Sequence, residues 1–176
     1  MTFARWTLGL ALVHHHTAAE RGSGQEIPAE VGDVFRRRRH NLGDLPMVNV
    51  YAARERVQRG DRDEAMPLMR TAADHLFGEG HLLAWGIQAT TVLVETLLDH
   101  GAESDVAEAE AAIERLAAAP AEEGLVIPDI WLLRLRALLA RARGDGAAYA
   151  DLRDRYRDMA KTLGFEGHME WVEAMA

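Results

Sequence analysis

Three groups of residues in this chain carry side chains that could do chemistry. His14-His15-His16 is a run of metal-ligating imidazoles. Glu79-Gly80-His81 recurs as Glu166-Gly167-His168, so a carboxylate is set near an imidazole twice. Trp85, Trp131 and Trp171 place large aromatic rings among polar residues that include Arg54, Gln88, Thr91 and Arg134. The chemistry on offer is metal ligation for the first group and acid–base work for the second. For the third it is binding of a ligand or peptide.

Each group also has a plainer explanation. Consecutive helical positions point about 100° apart, so His14, His15 and His16 cannot converge on one ion. They read as a polar helix end. The repeated Glu-Gly-His sits where a helical pair ends, and a repeated turn needs repeated caps. Its Glu suits the first turn of the next helix, where it meets the positive end of the dipole. A catalytic pair would need a cleft and a third group, and the sequence shows neither. The three tryptophans fall early in the helix after a pair end, so packing between pairs explains them as well as an aromatic-lined pocket does. Arg134, Arg136, Arg141 and Arg143 have acidic residues nearby, Asp145, Asp151 and Asp154, a pattern of surface ion pairs. No catalytic, cofactor-binding or metal residue is expected. The residues named for a partner or ligand groove are Arg54, Trp85, Gln88, Thr91, Trp131 and Arg134.

Composition narrows the setting. The chain has 176 residues, enough for a single domain with a real core. Ala, Leu, Arg and Glu dominate, all good helix formers, and β-branched residues are sparse. The net charge of −8 argues against nucleic-acid binding. Absence of cysteine excludes disulfides and thiolate chemistry and fits a cytoplasmic protein. The apolar stretch from Trp6 to Val13 is too short to span a bilayer, and three histidines make a poor cleavage region after it. No membrane partner is expected. The single basic block, Arg36-Arg37-Arg38-Arg39-His40, suits a solvated helix C-terminus.

The elements follow from periodicity and stop signals. A first helix over residues 3–19 and a second over residues 29–39 form a weakly patterned N-terminal pair, residues 1–43. Residues 44–176 then hold three clear pairs and a closing helix. The expected helices run over residues 45–59, 63–77, 81–100, 105–119 and 128–143, then from after Gly144-Asp145 to Leu163, and over residues 169–175. Ala65, Leu68, Ala72 and Leu76 should line one face of the second of these. Glycines mark the turns: Gly60, Gly101 and Gly144 lie 41 and 43 residues apart. Each stands just past a helix, where a left-handed C-cap favours glycine. First helices are apolar most of the way round and second helices carry one stripe. The fold expected is all-α: a tetratricopeptide-like array of helical hairpins, about seven to nine helices in a right-handed superhelix.

Three segments carry a family resemblance: RGDRDEAMPLMR, LLAWGIQATTVLVETLLDHGAESDVAEAEAAIERLAAAP and DIWLLRLRALLARARGDGAAYADLRDRYRDMAKTLGFEGHMEW. They resemble the C-terminal helical repeats of actinobacterial, chiefly mycobacterial, adenylate/guanylate cyclase-type regulators. In those proteins a class III cyclase domain and a signalling ATPase precede a tetratricopeptide-like tail. The resemblance covers residues 45–176 and about residues 2–12, and is weak over residues 14–41. It does not bring the chemistry with it. No G-x-x-x-x-G-K-[ST] loop occurs, and Lys161 is the sole lysine.

The expectation is therefore a non-catalytic interaction or regulatory domain whose concave face takes a protein or peptide. A remnant of a truncated regulator and a small-molecule sensor are the alternatives, with an enzyme last. Poor packing of the N-terminal pair would favour a homodimer that hides its apolar surface.

Overall fold

The computed structural model describes residues 8, 9, 27, 30–34, 37, 45–78, 85–120 and 124–175. Among these residues every regular element is helical and no strand occurs. Seven helices follow in order: α1 (Leu45–Gln58), α2 (Arg62–Gly78), α3 (Ile87–His100), α4 (Glu103–Ala117), α5 (Ile127–Ala142), α6 (Gly146–Leu163) and α7 (Glu166–Glu173). A short π-helical step at Trp85 and Gly86 leads into α3. Of the N-terminal pair, residues 8, 9, 27, 30–34 and 37 are helical. His14-His15-His16, Glu79-Gly80-His81 and the rest of the Arg36–His40 block around Arg37 lie outside the described residues.

Two hairpins are built around one tripeptide. Arg59-Gly60-Asp61 joins α1 to α2, and Arg143-Gly144-Asp145 joins α5 to α6. Gly144 adopts φ +74°, a conformation that costs other residues about 1 kcal/mol or more. That bend lets its N–H donate to Arg141 O and the Asp145 N–H donate to Ala140 O, both at 3.0 Å. Gly60 and Asp61 repeat both bonds, onto Val57 O and Arg56 O, again at 3.0 Å. Two carbonyls at each helix end are thereby satisfied.

The same aspartate then does two different jobs. Asp145 caps α6, its Oδ1 accepting from the Ala148 N–H at 2.9 Å. Asp61 instead accepts from Arg56 Nε at 2.8 Å, and Arg56 Nη2 also reaches Glu64 at 2.9 Å. Asp145→Ala should therefore cost about 1 kcal/mol through loss of the cap. A shifted urea midpoint with unchanged slope checks this; no shift would mean the cap is dispensable.

Burial follows helical phase rather than residue size. On α2, Ala65, Ala72 and Leu76 are buried as expected, but Leu68 is 51% exposed. At about 100° per residue Leu68 stands roughly 60° off that stripe, whereas Met69 stands nearer its centre. Met69 is fully buried in its place. The contrast between first and second helices is clear in the C-terminal hairpin. On α5 the buried set includes Pro128, Ile130, Trp131, Leu132, Leu135 and residues 137–140. On α6 only Tyr156 and Ala160 are buried.

The closing helix departs most from the expected boundaries, and α4 begins and ends two residues earlier than expected. Gly164, at φ +69°, ends α6 alone, and Gly167 lies inside α7. The closing helix consequently starts at Glu166, with that carboxylate in its first turn.

The chain falls into two compact units, Met1–Val92 and Leu93–Ala176. In the first, α1 packs on α2 around Met47, Val50, Tyr51, Met69 and Leu76. In the second, α5 packs on α4 and α6, and α7 packs on α6. Ile113, Leu116, Ile130, Leu135 and Tyr156 form the centre of that core. No described helix is long and apolar enough to cross a membrane.

Candidate functional site

In the second unit, α5 sets Trp131 and Arg134 one turn apart, and α7 does the same for His168 and Trp171. The two helices bring these four side chains together with Tyr156 of α6 and Phe165 of the α6–α7 turn. The His168 ring centre lies 4.9 Å from Trp131, 5.0 Å from Trp171, 5.6 Å from Tyr156 and 5.8 Å from Phe165. Trp131 and Trp171 lie 5.3 Å apart. The Arg134 guanidinium carbon stands 4.9 Å from the Trp171 ring centre and 5.9 Å from that of Trp131. These spacings are those of rings packed on rings, with a cation over their faces.

Arg134 is also paired. Its Nη1 approaches Glu95 Oε1 of α3 to 2.5 Å, and both side chains are only 14% exposed. The approach is that of an ion pair rather than an aligned hydrogen bond, since Nε and Nη1 of Arg134 have no hydrogen-bond acceptor. A cation held this way loses much of its hydration and relies on one carboxylate and two π faces.

Proton placement follows from burial. Tyr156 is fully buried, and burial first raises its phenol above the usual range; Arg134 opposes the rise and Glu95 adds to it. His168 is pushed down to about 4, by burial first and by the Arg134 charge second. At neutral pH both groups are uncharged. Tyr156 Oη and His168 Nδ1 lie 2.7 Å apart, within hydrogen-bond distance. Glu166 is exposed in the first turn of α7.

The depressed His168 has a consequence for stability. Its unfolded value near 6.5 lies above its folded value of about 4. The unfolded chain therefore binds the proton first, and stability should be full above about pH 6.5 and fall as pH drops toward 4. The loss should be about 1–2 kcal/mol, allowing for the part of the ring that solvent still screens. His168→Phe should flatten this segment of the pH–stability curve; an unchanged slope would place the titrating group elsewhere.

The first unit contains an open groove of about 370 Å³ between α1 and α2. Pro46, Asn49, Ala52, Ala53 and Arg56 line one wall, and Leu68, Thr71, Ala72 and His75 the other. Its surface is mostly apolar, and Leu68 is an exposed lip.

The residues expected to line one groove belong to both units. Trp131 and Arg134 meet in the second unit, where Trp131 is 9% exposed and packed. Arg54, Trp85, Gln88 and Thr91 belong to the first. Arg54 and Trp85 are half-buried. Thr91 is buried, and its hydroxyl donates to Ile87 O at 2.9 Å. Gln88 Oε1 is buried without a hydrogen-bond donor. Glu95 was not among the expected residues, although a lone charge inside the apolar run VLVETLL is a visible sign of a buried partner. No group of three or more metal-ligating side chains occurs among the described residues. No protein-family model matches the chain, and no curated protein or solved structure matches it either.

Proposed function

We propose that this chain is a non-catalytic, cytoplasmic interaction module, a tetratricopeptide-like helical-repeat domain that binds a protein partner. The observation that carries this reading is the α1/α2 groove, open and mostly apolar, with Leu68 exposed on its lip. Exposed apolar concavities on helical repeats are where partners bind. The resemblance to the tails of cyclase-type regulators supports the same role, with partner binding communicated to an ATPase. The packed state of the Trp131 cluster also supports it, because those rings occupy one another's space rather than lining a ligand pocket.

The test is chemical crosslinking in the source cell, followed by reconstitution of the identified protein with the purified full chain. A 1:1 complex on gel filtration supports the module. Absence of any reconstituting protein, with a melting rise in a screen of nucleotides and metabolites, would replace it with the small-molecule sensor. Absence of both would leave the remnant of a larger regulator.

A further inference from the structure

α7 is held less broadly than its neighbours in the second unit. Its main packing partner is α6, whereas α5 packs on both α4 and α6. At eight residues it is too short to keep its helix unaided. A few ties hold it down. His168 and Trp171 lie in the ring cluster with Trp131, Val172 is 2% exposed, and the Met175 carbonyl just beyond the helix accepts from the Tyr149 O–H. The packing of α4, α5 and α6 on one another does not pass through α7.

Of these ties, His168 is the one whose charge changes in mild acid. Its surroundings come from three other helices. Arg134 of α5 sets a guanidinium over Trp131 and Trp171, the two rings that His168 also meets. Tyr156 Oη of α6 lies 2.7 Å from its Nδ1. Glu95 of α3 is the carboxylate that faces Arg134. On α7 itself Glu166, Glu170 and Glu173 are exposed. A proton on His168 would therefore put a second cation into a partly buried aromatic cluster that already holds one.

We infer that α7 is a strap, shut over the Trp131 ring while His168 is neutral and released from α5 and α6 when His168 takes up a proton. The sign follows from where the proton binds. The open strap takes it at an ordinary histidine value near 6.5 and the shut strap only near 4, so acid favours opening. The opening grows as pH falls below about 6.5 and is complete near 4. It uncovers Trp131, and α4, α5 and α6 stay folded because their mutual packing is untouched.

The chain has no cysteine, so one introduced thiol reports on one place. Val172→Cys reports on the strap and Ala109→Cys, at a position 0% exposed on α4, on the core of the same unit. Each full-length variant is labelled with 4,4′-dithiodipyridine, which reacts with thiols in acid as well as at neutral pH. Rates are divided by those of the same variant unfolded in urea at the same pH. Val172→Cys should label at least about tenfold faster than Ala109→Cys, with a shallower dependence on low urea, as local opening requires. Its rate should rise about tenfold between pH 7 and pH 5, a figure that allows for solvent screening of the ring. His168→Phe and His168→Gln should each remove that rise.

Any of three results refutes the strap. Equal rates and equal urea slopes at the two cysteines would mean that α7 opens only when the whole unit unfolds. A constant rate at Val172→Cys between pH 7 and pH 5 would mean that the proton does not release it. A rise that survives both His168 variants would assign the release to another group.

Discussion

Replacing Trp131 by alanine is expected to lower the stability of the Leu93–Ala176 unit by about 3–5 kcal/mol, the range for losing a large core aromatic. Trp131 is 9% exposed and is the common neighbour of His168, Trp171 and Arg134. Its removal opens a cavity and also strips one π face from a cation that is already poorly hydrated. α7 is the element most affected, because it is only eight residues long and depends on packing for its helix. Trp131→Phe keeps a ring in place and should lose less than half as much. Urea denaturation followed by far-ultraviolet circular dichroism measures both variants. A loss below about 1 kcal/mol for Trp131→Ala would show that the ring is a surface group and not part of the core.

The second large effect lies one turn away. Glu95→Ala removes the carboxylate that faces Arg134 while both side chains are only 14% exposed. Breaking a buried pair from one side leaves an uncompensated charge, and the expected loss is about 3 kcal/mol. Arg134→Met alone should cost less, since the thioether stem can still lie on the Trp131 and Trp171 faces. The double variant Glu95→Leu with Arg134→Met should recover most of the loss, because apolar replacement of a buried pair is often neutral or better. Equal and additive losses in the two single variants would mean that the pair is uncoupled, contrary to the 2.5 Å approach.

Both predictions concern the cluster on α5, and helical spacing placed part of it. Trp131 with Arg134, and His168 with Trp171, are three residues apart and so share a helix face. That much could be read from spacing. Leu68 shows how narrow such a reading is, since a phase difference of about 60° moved it to the surface and put Met69 inside. Gly167 shows a second limit. A glycine after a helix reads as a stop, but Gly164 had already closed α6 with its positive φ, so the chain was free to begin α7.

By itself the sequence determined the all-helical class, most helix boundaries and the glycine turns at positions 60, 101 and 144. Those features depend on hydrogen bonds that reach four or five residues along the chain and on backbone angles that glycine alone adopts cheaply. The tertiary structure decided which side chains meet. Glu95, Arg134, Tyr156 and His168 come from four helices, and no local bond records that they share one cluster. It decided equally that an open groove lies between α1 and α2, for a groove is a space between elements and depends on which helix packs where.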